Sequence, residues 1–237
     1  LTPVKEGEAG QLTKVEGGIP TNRGLNPMRW SPDGCQIAFM KAEADTEDEK
    51  RRKDEGYDEL AFEQEPKFTQ LYLADVGTGD VSCVSPDGLQ VWEFCWAPSG
   101  REVAVVASDL PFERSWYGCR LAKFSLGEGP ARTLHKTKRH VSSPVWSPDG
   151  RSIAFLSSTW SDRGSVGGGI FVVPAEGGEA QELSADHVAS ASWIEWTDDS
   201  RHLVTAAHEQ GSVGLAEVEV ASGERRSLWR AEAALAE

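Results

Sequence analysis

The sequence predicts an all-β chain, a partial β-propeller of four-stranded antiparallel blades: about four complete blades plus the end of a preceding one. Two observations carry this expectation. A pentapeptide of the type Trp-Ser-Pro-Asp-Gly recurs four times, and each copy opens a series of short apolar runs separated by Gly-containing turns. With 237 residues, the chain has room for a single all-β domain of the larger kind.

The four copies are Trp30-Ser31-Pro32-Asp33-Gly34, Trp96-Ala97-Pro98-Ser99-Gly100, Trp146-Ser147-Pro148-Asp149-Gly150 and Trp196-Thr197-Asp198-Asp199-Ser200. Their tryptophans stand 66, 50 and 50 residues apart (30 to 96, 96 to 146, 146 to 196). Pro presets φ for the turn, Asp can bond the backbone just beyond it, and Gly accepts a positive φ. The Trp ends an inner strand and offers a large apolar body for packing between blades. Each turn leads into a strand apolar on both faces, such as Ile37-Ala38-Phe39 and Ile153-Ala154-Phe155, which suits burial between two sheets. The fourth copy lacks both Pro and Gly, so its turn is expected to be looser.

The whole chain, residues 1–237, reads as one incomplete propeller domain. Residues 1–24 are expected to be the tail of a preceding blade, because Pro3 to Thr13 aligns without gaps to Pro174 to Ser184. Blades then occupy 25–88, 89–140, 141–189 and 190–230. The first is longer than its neighbours by 16 residues (66 against 50). The excess lies in a charged insertion at 43–66, where Glu47 with Arg51 and Glu49 with Lys53 suggest a short helix ended by Gly56. That insertion is either a solvated loop or a contact segment on one face. Ser85-Pro86-Asp87-Gly88 matches the turn but lies too near the next Trp to open a blade, so it reads as a connection between blades. The chain lacks an initial Met and begins inside a blade, so continuation in both directions is expected.

Composition narrows the chemistry. A net charge of −14, from 24 Lys and Arg against 38 Asp and Glu, disfavours nucleic acid and anionic membranes as partners. No apolar stretch reaches the length of a membrane span, and the start has no signal-peptide pattern. The four cysteines have no metal-type spacing, which suggests free, mostly buried thiols in a reducing compartment. No serine has the flanking glycines of a hydrolase elbow; Ser165 and Ser212 come nearest and fall in β-repeat loops. The Gly164–Gly169 stretch precedes a strand, so it suits a loop better than a phosphate cradle. His135 with His140, and His202 with His208, lack a third ligand at suitable spacing. Trp92, Trp116 and Trp160 lie outside the repeat and read first as packing residues, with lining of a substrate passage as the other reading. No catalytic, cofactor-binding or metal-ligating residue is therefore assigned, and no cofactor is expected.

The repeats resemble TolB-type blades. The insertion followed by Glu65-Pro66-Lys67-Phe68-Thr69-Gln70-Leu71-Tyr72-Leu73-Ala74-Asp75-Val76 further resembles the N-terminal propeller of the prolyl oligopeptidase family, of acylaminoacyl-peptidase and dipeptidyl-aminopeptidase type. That resemblance implies a seven- or eight-bladed propeller joined to an α/β-hydrolase domain with a Ser-Asp-His triad, none of which lies in this chain. The leading expectation is a cytoplasmic serine peptidase acting on short or N-blocked peptides, whose propeller gates access and scaffolds the hydrolase. Expected partners are that hydrolase domain, a peptide substrate, and a second copy held through exposed blade edges. A stand-alone TolB-like protein-binding module is the alternative. A propeller lyase or glycosidase is the third reading, and it would need carboxylates or metal ligands clustered at the central tunnel.

Overall fold

The computed structural model describes residues 10–20, 26–57, 66–136, 139–159, 167–184 and 189–232. The expectations for residues 1–9 and 21–25, for the end of the insertion at 58–65, and for Trp160 and Ser165 fall outside the described residues.

Among the described residues, sixteen strands form four separate four-stranded sheets, each pairing its strands antiparallel in chain order. The first sheet holds β1 (Met28–Trp30), β2 (Gln36–Ala42), β3 (Thr69–Asp75) and β4 (Val81–Cys83), with helix α1 (Glu47–Asp54) inserted between β2 and β3. The second holds β5 (Gln90–Trp96), β6 (Glu102–Ser108), β7 (Arg120–Ser125) and β8 (Glu128–His135), with a single helical turn α2 (Glu113–Trp116) before β7. The third holds β9 (His140–Trp146), β10 (Ser152–Ser158), β11 (Gly169–Pro174) and β12 (Gln181–Glu182). The fourth holds β13 (Ala189–Trp196), β14 (His202–Glu209), β15 (Ser212–Glu219) and β16 (Arg225–Ala231). Four consecutive antiparallel meanders of four strands are propeller blades, so the all-β partial propeller expected from the repeat is what the chain forms.

The core lies between the sheets, in three layers. Ala38, Met40 and Leu71 of the first sheet meet Val91, Val103 and Val105 of the second. Ala104, Val106 and Leu121 of the second meet Ile153, Phe155 and Val173 of the third. Ala154, Leu156 and Ile170 of the third meet Ile194, Leu203 and Val218 of the fourth. Neighbours in β6 and β10 alternate between layers, which explains why these runs are apolar on both faces. Connection 84–89 carries the Ser85-Pro86-Asp87-Gly88 segment from one sheet to the next, and Ser85 Oγ accepts the Leu71 N–H at 3.1 Å.

The repeated turns share one hydrogen-bond scheme. Ser31 Oγ donates to Asp33 Oδ1 at 2.6 Å, which also accepts the Cys35 N–H at 3.0 Å. In the third blade Ser147 Oγ donates to Asp149 at 2.7 Å, and Asp149 accepts the Arg151 N–H at 3.0 Å. The fourth turn is not looser. Thr197 Oγ1 donates to Asp199 at 2.6 Å, Asp199 accepts the Arg201 N–H at 2.9 Å, and the Ser200 N–H closes onto Thr197 O at 3.0 Å. Thr and Asp thus reproduce the Ser–Asp pair, and Ser200 adopts the φ of +57° that Gly takes elsewhere. Its hydroxyl also accepts the Asp149 N–H of the neighbouring turn at 3.0 Å. The second turn keeps the backbone closure, Gly100 N–H to Ala97 O at 2.9 Å, without an acidic side chain.

The insertion forms the expected helix, with different ion pairs. Thr46 and Glu49 make a capping box: Glu49 Oε2 accepts the Thr46 N–H at 2.6 Å and Thr46 Oγ1 accepts the Glu49 N–H at 3.3 Å. Glu49 is therefore turned inward, where it pairs with Lys67 at 2.8 Å instead of Lys53. Glu47 pairs with Lys50 at 2.8 Å, one step closer than Arg51. The helix ends at Gly56 with φ +82°, where Tyr57 N–H bonds Arg52 O at 2.9 Å and Gly56 N–H bonds Lys53 O at 3.0 Å. Two of the four cysteines, Cys35 and Cys83, are exposed and two, Cys95 and Cys119, are buried, so the thiols are half buried rather than mostly so.

Candidate axial site

The first strand of each blade runs nearest the propeller axis, and the four first strands converge on one cavity of about 310 Å³. Arg29 enters from β1, Glu93 from β5, Ser143 from β9, and Ser192, Trp193 and Glu195 from β13. The inner strands carry irregularities at this level, between Val91 and Glu93 in β5 and between Ala191 and Trp193 in β13. A bulge re-aims the side chains that follow it. Ser143, at φ +51°, is a non-glycine in the left-handed region, and its N–H donates to Glu93 Oε2 at 2.7 Å. That bond ties the second blade to the third at the axis.

Glu93 is the most perturbed acid of the site. Burial pushes its carboxyl up to about 7, opposed by the Ser143 N–H and the charge of Arg29. Its second oxygen, Oε1, is sealed from solvent and has no hydrogen-bond partner. Arg29 Nε is likewise sealed and unpartnered. Glu195 is exposed, and Trp193 leaves 47 % of its surface open at the wall of the cavity.

The repeat residues lie away from this cavity's chemistry and do structural work. Pro32, Asp33 and Gly34, Pro98 and Gly100, and Pro148, Asp149 and Gly150 form the turns described above. The tryptophans stitch the blades: Trp196 Nε1 donates to Val145 O at 3.1 Å, and Trp96 Nε1 to Arg29 O at 3.4 Å. In each case the acceptor is the residue before the preceding blade's Trp. Trp146 is buried in the same position, but its Nε1 has no partner; Lys123 Nζ sits 5.9 Å from its ring instead. Trp30, the first of the series, is 52 % exposed.

The other sequence candidates are dispersed. Trp92 is buried with Nε1 on Ser108 Oγ at 2.9 Å, and Trp116 is buried with its ring 3.7 Å from that of His140, so both pack rather than line a passage. His135 lies 5.0 Å from the Phe155 ring, and His202 meets Asp199 at 3.3 Å. Burial holds His140 down at about 4, and both its ring nitrogens lack partners. Ser212 opens β15 and accepts from Arg230 at 3.2 Å. Among the described residues, no group of three or more His, Cys, Asp or Glu could hold a metal ion. The sequence alone missed Arg29, Glu93 and Ser143. For Arg29 and Glu93 the signal is a charged residue inside an inner strand; nothing in the sequence marks Ser143.

Comparison with known proteins adds kinship to this geometry. The chain is 29% identical over 143 residues to the uncharacterized peptidase YuxL of Bacillus subtilis (strain 168), covering 60% of this chain and 20% of that protein. It is 30% identical over 138 residues to dipeptidyl-peptidase 5 of Arthroderma otae, covering 57% of this chain and 19% of the other. The chain thus spans about a fifth of the length of these curated relatives. Among solved structures, an oligogalacturonate lyase in complex with manganese superposes with a TM-score of 0.64 at 14% identity, over 93% of this chain and 56% of the other. A putative TolB from Agrobacterium tumefaciens gives 0.60 at 16% identity, over 88% and 68%. A puromycin hydrolase gives 0.58 at 16% identity, over 86% and 28%. At such identities the structures establish the TolB-like propeller fold alone, while the peptidase relatives agree with the prolyl oligopeptidase resemblance seen in the sequence. By the model that matches residues 26–211, the chain belongs to the family described as eukaryotic translation initiation factor eIF2A.

Proposed function

We propose that the chain is the non-catalytic propeller of a cytoplasmic serine peptidase, which gates peptide access to an α/β-hydrolase domain and scaffolds it. The observation that carries this reading is the kinship with two peptidases, each about five times longer than the matched stretch. The blade pattern and the charged insertion before Lys67 point the same way. Four free cysteines suit a reducing compartment. The matched family is named for a translation factor, but a net charge of −14 gives no basic footprint for RNA. The blades therefore explain that match, and the peptidase relatives guide the chemistry.

The test is the full-length protein. The expected result is a G-x-S-x-G hydrolase domain in the same reading frame, with cleavage of short peptides and exclusion of folded proteins. A frame that ends without a hydrolase domain would sink the proposal and leave a stand-alone TolB-like binding module.

A further inference from the structure

We propose that the seam between the second and third blades is an electrostatic joint, and that ionic strength sets how often it opens. The three seams between blades differ in what fixes them beyond apolar packing. Trp96 Nε1 bonds Arg29 O across the first seam, and Trp196 Nε1 bonds Val145 O across the third. At the middle seam Trp146 Nε1 is sealed without a partner. Two cations of the second blade grip one acid of the third instead. Lys123 Nζ lies 3.3 Å from Glu176 Oε1, and Arg132, the cross-strand partner of Lys123, places Nη1 3.8 Å from Oε2. Arg132 Nη2 also donates to Glu176 O at 2.5 Å. Gly177 leaves room for that approach: it takes φ +82°, and a Cβ there would lie 3.0 Å from Arg132 Nη2.

Exposure decides how this clamp responds to salt. The Lys123 side chain is 8% exposed and has Glu102 at 3.2 Å as a second carboxylate, whereas the Glu176 side chain is 84% exposed. Pairs with both charges in water contribute little, but here one partner is already desolvated and attracts more strongly. Glu176 is the member that dissolved ions reach, and the Debye length shrinks from about 10 Å at 0.1 M to about 3 Å at 1 M salt. At the axial end of the same seam the Ser143 N–H donates to Glu93 Oε2 at 2.7 Å. Each blade is one hydrogen-bonded sheet, so releasing the outer clamp lets the third blade shift as a unit and frees the Ser143 bond as well. Glu93 and Ser143 both line the axial cavity, which the open joint would widen. The apolar layer of the seam does not depend on charge and keeps the blades joined meanwhile.

The experiment is hydrogen exchange read by NMR on the 237-residue chain, at one pH, in about 20 mM and about 1 M sodium chloride. The Ser143 amide reports the middle seam, and the Trp96 and Trp196 indole N–H groups report the flanking ones. Ser143 should exchange about tenfold faster in the high salt, with both indoles changing less than about twofold. Glu176→Gln removes the exposed charge and should abolish most of the salt response of Ser143. Lys123→Met removes the buried charge and should do the same. Circular dichroism checks the fold of every variant; should Lys123→Met unfold, Glu176→Gln, at an exposed position, carries the test. Glu217→Gln is the control: Glu217 pairs with its cross-strand partner Arg226 at 2.6 Å inside the fourth blade, so the Ser143 response should survive its loss. The joint is refuted if salt leaves Ser143 exchange unchanged or speeds all three probes alike. It is also refuted if Glu176→Gln keeps the full response, or if Glu217→Gln abolishes it too. The joint needs no hydrolase, so its failure would leave the reading-frame test of the peptidase proposal intact.

Discussion

Ser200 shows how one side chain can stand in for a missing glycine. It takes φ +57°, an unfavourable region for an L residue, and its hydroxyl accepts the Asp149 N–H of the preceding blade's turn. Ser200→Ala keeps the strain and loses the bond, so it should lower stability by about 1 kcal/mol in urea unfolding. Ser200→Gly loses the bond but relieves the strain and should fall near neutral. Equal losses in both would mean that the hydroxyl matters and the backbone does not. The turn carboxylates Asp33, Asp149 and Asp199 are all held below the usual carboxylate range, chiefly by the Ser or Thr hydroxyl beside them. Their contribution is present above about pH 4 and is lost as the pH falls through their lowered values. Two buried groups act in opposite senses at higher pH. Glu93, raised to about 7 by burial, makes the folded state bind an extra proton between about pH 4.5 and 7, so stability declines as the pH rises through that window. His140, lowered to about 4, leaves the folded state short of a proton below about pH 6.5, so stability declines as the pH falls toward 4. Glu93→Gln should therefore flatten the alkaline limb of a melting-temperature profile between pH 4 and 8. His140→Phe, which keeps a ring over Trp116, should flatten the acid limb. A profile that is unchanged in both variants would show that neither group titrates in the folded state as its burial requires.

At the scale of elements, the blades are joined by packing layers and by a periodic indole bond. Trp196→Phe removes a buried bond to Val145 O and leaves that carbonyl short of a donor, at a cost of about 1 kcal/mol beyond the lost packing. Trp146→Phe removes an N–H that has no partner, so thermal or urea unfolding should show the smaller loss there. The reverse order would contradict the stitch. Helix α1 is a separate matter, because it touches the blade mainly through Lys67 and its own caps. Thr46→Ala should speed hydrogen exchange at Lys50 to Lys53 by opening the cap, with the blade amides unaffected. The blades were legible in the sequence because their signals are local: a turn pentapeptide, an apolar run and a Gly turn all act within a few residues. The helix was legible for the same reason, through Glu-rich and Lys/Arg-rich ends and Gly56. Its ion pairs were not, since Glu49 is claimed by Thr46 and by Lys67, 18 positions away (49 to 67). The missing Pro and Gly point to a looser fourth turn, whereas the Thr197–Asp199 pair, equally local, holds it. The axial site was out of reach: Arg29, Glu93 and Ser143 come from three blades, and only the ring order brings them to one cavity.

At the scale of the whole molecule, the two outer sheets of the described four leave apolar surface open. Trp30 stands where Trp96 and Trp196 stand in their blades, yet it is half exposed, and it lines a groove of about 530 Å³ with Ile19, Met28 and Phe39. Leu12 O lies 2.9 Å from where a Cβ on Gly79 would be, and Leu183 O lies 3.1 Å from the equivalent point on Gly223. Residues around Leu12 thus sit against the first blade much as the outer strand of the third blade sits against the fourth. On the last sheet, Leu215 and Trp229 are cross-strand partners and both are exposed. Apolar patches of this kind are covered in stable soluble proteins, so we propose that this chain, when expressed alone, covers them by self-association through its end blades. The contact would be heterologous, one end against the other, because the groove and the Leu215–Trp229 ridge differ in shape. Sedimentation velocity should then show association that grows with concentration. Trp30→Ser and Trp229→Ser should each reduce it, and the two single variants mixed together should recover only part, since one intact end of each kind remains in the mixture. A monomer at all concentrations would refute the contact. A mixture that associates no better than either variant alone would instead indicate that like ends pair.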